Sequence, residues 1–364
     1  MTTTMYKLVR GKRLRLTGFC ALLVSLLILA GCGPCNSVSG ITRIFSSSQK
    51  EKSDQSKEEN KKDKQEEETY QTKLKKLLDD PSFVFVSANP EDKGATAVVK
   101  SEDDSKVTSV SQDVQCSMIT LHPEGKKGYV TSMEANKILV IDAENYTLIK
   151  TIETKDEPYG IAASPDGKSV YITHYKSNYI SKLDTSKDEI VKTIEVKDHP
   201  ACITVSFDGK KAYVGHAEYI EFDKSKPLET TNHQGSNAIS VIDLTKEKET
   251  ATIATKGTNW SIAILSDGSK LFATTYEPFV GSYRDSGAFA NWSKDYWNGV
   301  TIVDTKKNAV IKEVPIDEHI SPRSVALTPD NTKAYIVGSA SDDARVLDVA
   351  SQTIKSKIAL GLGG

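Results

Sequence analysis

Six histidines, three tryptophans and five cysteines are the side chains best equipped for chemistry in this sequence. Imidazoles bind metals or haem and move protons near neutral pH, but a metal site on one element needs close spacing such as His-x-x-x-His. No such spacing occurs among His122, His174, His199, His216, His233 and His319. The run "SPDGKSVYITHYKSN" does gather Asp166, Lys168, Tyr171, His174 and Tyr175 within a few residues. Cys32 and Cys35 frame "CGPC", a redox dithiol spacing. Thiol activation there needs a helix N-terminus within a strand-helix-strand unit, and the flanking residues announce neither. There is also no Gly-x-Ser-x-Gly elbow, no His-Glu-x-x-His and no phosphate-cradling glycine loop. A non-enzymatic role is therefore expected, although catalysis by residues drawn from separate segments would leave no local motif.

The elements that must position these residues are visible because the chain repeats itself. "TLHPEGKKGYVTS" from Thr120, "ASPDGKSVYITH" from Ala163, "VSFDGKKAYVGH" from Val205, "LSDGSKLFATT" from Leu265 and "LTPDNTKAYIVG" from Leu327 align. Their turn positions Pro123, Pro165, Phe207, Ser266 and Pro329 lie 42, 42, 59 and 63 residues apart. A unit of 42 residues with two insertions fits a propeller blade, because each unit holds four short β-branched strand signals. Pro-Asp-Gly is turn chemistry: proline presets φ, aspartate bonds the local backbone and glycine accepts the left-handed conformation. Asp166, Asp208 and Asp267 thereby lose their claim as catalytic acids. Cys116 and Cys202 fall two repeats apart and read as small buried hydrophobes, not a disulfide.

The units resemble the YVTN family of β-propeller repeats. The naming tetrapeptide is matched by "YVTS" at Tyr129, "YITH" at Tyr171, "YVGH" at Tyr213, "FATT" at Phe272 and "YIVG" at Tyr335. The "VID" strand ends match as well, at Val140–Asp142 and Val241–Asp243, with "IVD" at Ile302–Asp304. The resemblance covers residues 82–364 and implies an all-β propeller of four-stranded antiparallel blades. Such propellers serve as adhesion, scaffold and cofactor-holding modules, so it implies no single activity. Before the clear copies, "FVFVSANPEDKGATAVVKSEDDSKVTSVSQ" matches only the last three strands of a unit, and the C-terminus stops where a first strand would begin. Six blades are expected, with seven as the runner-up, in a monomeric ring.

The N-terminus reads as an address. Lys7, Arg10, Lys12, Arg13 and Arg15 precede the apolar run "FCALLVSLLILAG", which has the length of a signal-peptide core. "LAGC", Leu29–Cys32, looks like a bacterial lipobox, so residues 1–31 would be removed and Cys32 acylated. Residues 32–81, including "SSSQKEKSDQSKEENKKDKQEEE", are too polar to bury a core and read as a lipidated, disordered tether. About 50 coil residues would reach roughly 40 Å from the membrane. A short helix is expected over Tyr70, Leu74, Leu77 and Leu78. The product would be exported and lipid-anchored to a bacterial membrane, on its periplasmic or cell-surface side. The net charge of −2 includes the basic leader, leaving a body of about −7, which argues against nucleic acid.

Propeller topology sorts residues onto two faces. The Pro-Asp-Gly turns, the "VID" aspartates and His122 share one face, while the other histidines and all three tryptophans share the other. Both insertions, Ala217–Ser236 and Tyr276–Gly299, stand on that second face, and the latter carries Tyr276, Tyr283, Arg284, Trp292, Tyr296 and Trp297. Tyr159, Trp260 and Arg323 enter innermost strands there. With His174, Tyr175, His216 and His233 these are the candidate binding residues for a protein or glycan partner. The alternative is a metal or haem-like group held by His174, His216 and His233. Buried loop packing and solvated histidines are the structural alternatives for the same residues.

Overall fold

The computed structural model describes residues 114–218, 236–276, 297–316, 321–328, 330–338 and 343–359. It also gives, as backbone, the strands Thr4–Val9, Lys12–Thr17, Phe83–Ala88, Gly94–Lys100, Lys106–Gln112, Tyr219–Ile220 and His233–Gln234. Cys32, the tether, the expected helix before Pro81, Tyr283, Arg284, Trp292, Tyr296 and His319 lie outside the described residues, as does the side chain of His233.

Five antiparallel sheets of four strands follow one another along the chain, each with its strands in sequence order. Blade 1 comprises Ile119–Leu121, Lys127–Ser132, Lys137–Asp142 and Thr147–Glu153, and blade 2 Pro158–Ala163, Ser169–His174, Tyr179–Asp184 and Glu189–Glu195. Blade 3 is built from Pro200–Val205, Lys211–His216, Ala238–Asp243 and Lys248–Ala254. Blade 4 runs through Thr258–Ile264, Lys270–Tyr276, Asn298–Asp304 and Ala309–Pro315. Blade 5 is Pro322–Leu327, Lys333–Gly338, Asp343–Asp348 and Thr353–Ala359. Ahead of them Phe83–Ala88, Gly94–Lys100 and Lys106–Gln112 form a three-stranded sheet, which matches the partial repeat. Both insertions fall between second and third strands, and the first contains a short pairing of Ile220 with His233.

The turn residues do what their chemistry requires. Gly125, Gly167, Gly209 and Gly268 all adopt positive φ, and Asn331 takes that conformation in blade 5. Asp166 accepts from the Ser164 hydroxyl at 2.6 Å and the Lys168 amide at 3.0 Å. The strand-end aspartates cap the next hairpin: Asp142 Oδ1 accepts the amides of Glu144 and Asn145, both at 2.8 Å. Hydrogen bonds from hairpin side chains and amides hold Asp142, Asp184, Asp243 and Asp348 below the usual carboxylate range.

The core lies between the sheets. Tyr129, Ile138 and Val140 of blade 1 pack on Ile161, Val170, Ile172 and Leu183 of blade 2. Equivalent layers join blades 2 and 3 through Ile180, Ile194, Val214 and Ile242, and blades 3 and 4 through Ile239, Val241, Ile262 and Leu271. Phe272, Val300 and Ile302 meet Ala334, Ile336 and Leu347 between blades 4 and 5. Each middle blade buries both its faces, so no blade could bury its apolar surface alone. Cys116 and Cys202 are buried and form no disulfide, and burial pushes the Cys202 thiol up to about 12.

Candidate functional site

The first strands of blades 2 to 5 each break register near their start. The irregularities lie at Pro158/Ile161, Pro200/Cys202, Asn259/Ser261 and Pro322/Ser324. Such a bulge re-aims the unpaired side chain. The residues so released are Tyr159, Ala201, Trp260 and Arg323, at one equivalent position in four successive blades. The preceding blade pins the first two: Thr131 Oγ1 donates to the Tyr159 carbonyl at 2.6 Å, and Thr173 Oγ1 to the Ala201 carbonyl at 2.9 Å. Gly160 is required beside Tyr159, since a Cβ there would lie 2.2 Å from the Ala201 carbonyl oxygen.

These positions build an aromatic cluster across three blades. Tyr159 meets Trp260 edge to face, with centroids 5.8 Å apart and planes at 83°. The contact spans blade 3, whose bulge position carries only the methyl of Ala201. Tyr175, at the end of the second strand of blade 2, lies 6.2 Å from Tyr159 and 5.7 Å from Trp260. Its hydroxyl donates to the Glu218 carbonyl, and its own carbonyl accepts from His199 Nδ1 at 2.9 Å. Arg323 lies 4.3 Å from the Trp260 ring centre and 5.1 Å from that of Tyr276. All five side chains are half-buried. Burial raises the Tyr175 phenol pKa, so it stays protonated and serves as a donor.

The histidines do something different. His174, 1% exposed, donates from Nδ1 to the Lys155 carbonyl at 2.7 Å and meets the Ser181 hydroxyl through Nε2 at 2.7 Å. His216, fully buried, repeats both contacts with the Asp198 carbonyl at 2.9 Å and Ser240 at 2.8 Å. Each ties the incoming inter-blade loop to the third strand of its own blade. Burial lowers both pKa values, that of His216 to about 4. Both ring nitrogens of each are already committed to the protein, so the two histidines do not fit as ligands of a metal or haem-like group. Among the described residues no three histidine, cysteine, aspartate or glutamate side chains gather as a metal site.

Of the residues singled out from sequence, the structure brings together Tyr159, Tyr175, Trp260, Tyr276 and Arg323. Trp297 stands apart from them in its own contact, under the Lys256 ammonium at 4.3 Å from the ring centre. His122 lies on the opposite face, donating from Nε2 to the Gly167 carbonyl at 2.8 Å. Sequence reasoning missed Ala201 and the latching Thr131 and Thr173. The signal available was the recurring start "PYG", "PAC", "NWS" and "PRS" of the innermost strands, in which the middle residue varies most.

No protein-family model matches the chain, and no curated protein matches it in sequence. Solved structures do match in fold, and they are β-propeller proteins. Hydrazine synthase of Kuenenia stuttgartiensis superposes with a TM-score of 0.63 at 20% identity, over 77% of this chain and 84% of that one. The dihydro-heme d1 dehydrogenase NirN in complex with DHE gives a TM-score of 0.51 at 15% identity. That match covers 77% of this chain and 56% of NirN. At such identities the likeness establishes a propeller-type all-β architecture and nothing finer.

Proposed function

We propose that this chain is an exported lipoprotein, anchored through Cys32, whose propeller is a non-enzymatic module binding a protein or glycan partner. The observation that carries the binding reading is the half-buried cluster of Tyr159, Tyr175, Trp260, Tyr276 and Arg323, contributed by the entrances of separate blades. Aromatic residues and arginine are the side chains enriched where partners bind most strongly. Residues 32–81 would hold that face away from the membrane. One experiment addresses both halves. Fatty-acid labelling of the full chain should disappear in Cys32→Ser, and the released protein should capture a partner that Trp260→Ala loses. Labelling that persists would refute the anchor, and capture indifferent to Trp260 would refute the reading of this cluster as the mouth of a binding site.

The ring we infer has six blades, the three-stranded sheet being the sixth. Support comes from the residue that each third-to-fourth hairpin holds at positive φ: Tyr146, Asp188, Glu247, Asn308 and Gln352. Tyr129 of blade 1 donates to Asp188 of blade 2 at 2.8 Å. The equivalent sequence positions in the following blades are Tyr171 and Glu247, Tyr213 and Asn308, and Phe272 and Gln352. Aligned in sequence with the other repeats, Asp104 corresponds to these hairpin residues and Tyr335 to the aromatic position, so the two would form the same pair if the ring closes here.

A cofactor-holding propeller is the second reading, favoured by the fold likeness to NirN in complex with DHE. It requires ligands other than His174 and His216. A Soret band or stoichiometric metal in the protein purified from its native host would support this reading over the first.

A further inference from the structure

We propose that Arg323 and Trp260 form a recognition point for a single carboxylate carried beside a ring or apolar group. This rests on the reading of the mouth as a binding surface and names what that surface selects. Two arginines lie among the described residues, and they are treated differently. Arg345 is ion-paired with Asp343, which also meets Lys357. Arg323 makes no ion pair or hydrogen bond among the described residues. Its Nε is buried without an acceptor, and so is the indole Nε1 of its neighbour Trp260. Two other half-buried cations are matched, Lys127 to Asp188 at 2.6 Å and Lys182 to Glu247 at 2.7 Å.

The two rings beside Arg323 explain how an uncompensated cation is tolerated. Trp260 and Tyr276 offer π faces that stabilise the guanidinium electrostatically while contributing no acceptor in its plane. The in-plane N–H donors are left to an oxyanion, for which the planar guanidinium is suited in a bidentate geometry. Buried donors without acceptors are costly unless something meets them. The body charge of about −7 opposes a polyanionic chain such as nucleic acid, so one localised carboxylate fits better than a run of phosphates. Tyr159 and Tyr175, half-buried beside Trp260, offer aromatic surface to whatever group bears that carboxylate.

The test uses the full chain in detergent, titrated calorimetrically at constant ionic strength with benzoate, benzamide, glucuronate, glucose and inorganic phosphate. Benzoate or glucuronate should bind at least tenfold tighter than its neutral counterpart, and which of the two binds identifies the flanking group. Arg323→Gln should lose at least tenfold for the carboxylate. Trp260→Phe keeps the ring under the guanidinium but removes the indole donor, and should weaken the carboxylate severalfold while leaving the neutral probe unchanged. No binding of either carboxylate, equal binding of charged and neutral probes, or stronger binding of phosphate would each overturn the proposal. If Arg323→Gln does not fold, Trp260→Phe decides: carboxylate affinity equal to the unaltered protein's overturns it. Partner capture that survives while the carboxylates fail would sink this proposal and leave the binding module standing. Carboxylate binding with no partner captured would do the reverse.

Discussion

His174 and His216 show how a residue type can promise one chemistry and perform another. Each imidazole needs its neutral form to accept from a serine hydroxyl while donating to a carbonyl, and burial enforces that form. The consequence is a pH dependence of stability. The unfolded chain protonates these histidines near pH 6.5, whereas folded His216 remains neutral until about pH 4. Stability therefore falls as the pH drops through that interval and levels off below it, by on the order of 3 kcal/mol for His216, with His174 adding in the same direction. The variant His174→Gln/His216→Gln should be less stable at pH 7, yet its urea midpoint should move less between pH 6.5 and pH 4. A slope equal to that of the unaltered protein would place the proton uptake elsewhere. Sequence placed both histidines correctly in the repeat. It could not show their partners, because Ser181 and Ser240 lie on the adjacent strand and are ordinary residues in an ordinary strand.

At the scale of the element, the Pro-Asp-Gly hairpins were legible because turn chemistry is local. The bulges were not, since an unpaired residue is defined by its neighbouring strand. One glycine connects the two levels. At Gly167, with φ +72°, an added Cβ would lie 2.6 Å from His122 Nε2 of blade 1, whereas Gly268, with φ +67°, opens onto free space. Gly268→Ala should cost about 1 kcal/mol, the left-handed penalty alone. Gly167→Ala should cost about 2 kcal/mol or more, because the contact with blade 1 must also shift. Urea denaturation of the two variants measures the difference. Equal losses would mean that His122 moves aside freely.

For the whole molecule, the period of the repeat revealed the propeller, and the four buried layers between sheets give the reason it holds together. Closure is not legible in the repeat, because in the proposed six-blade ring it would depend on two segments far apart in sequence. The proposed pairing of Tyr335 with Asp104 would make it measurable. A double-mutant cycle with Tyr335→Phe and Asp104→Asn should show a coupling of about 1 kcal/mol, comparable to that of Tyr129→Phe with Asp188→Asn. Coupling indistinguishable from zero, beside a clear value for the second pair, would argue that the ring closes otherwise.

In the proposed binding surface, the bulge position of blade 3 would bear on selectivity. Tyr159 and Trp260 touch because Ala201, between their blades, contributes only a methyl group. The spacing of the two rings is thus governed by a residue that need not touch the ligand. Side-chain size at this one site would act as an aperture stop, through which the proposed mouth could be fitted to larger or smaller guests while its aromatic walls and its arginine stay the same.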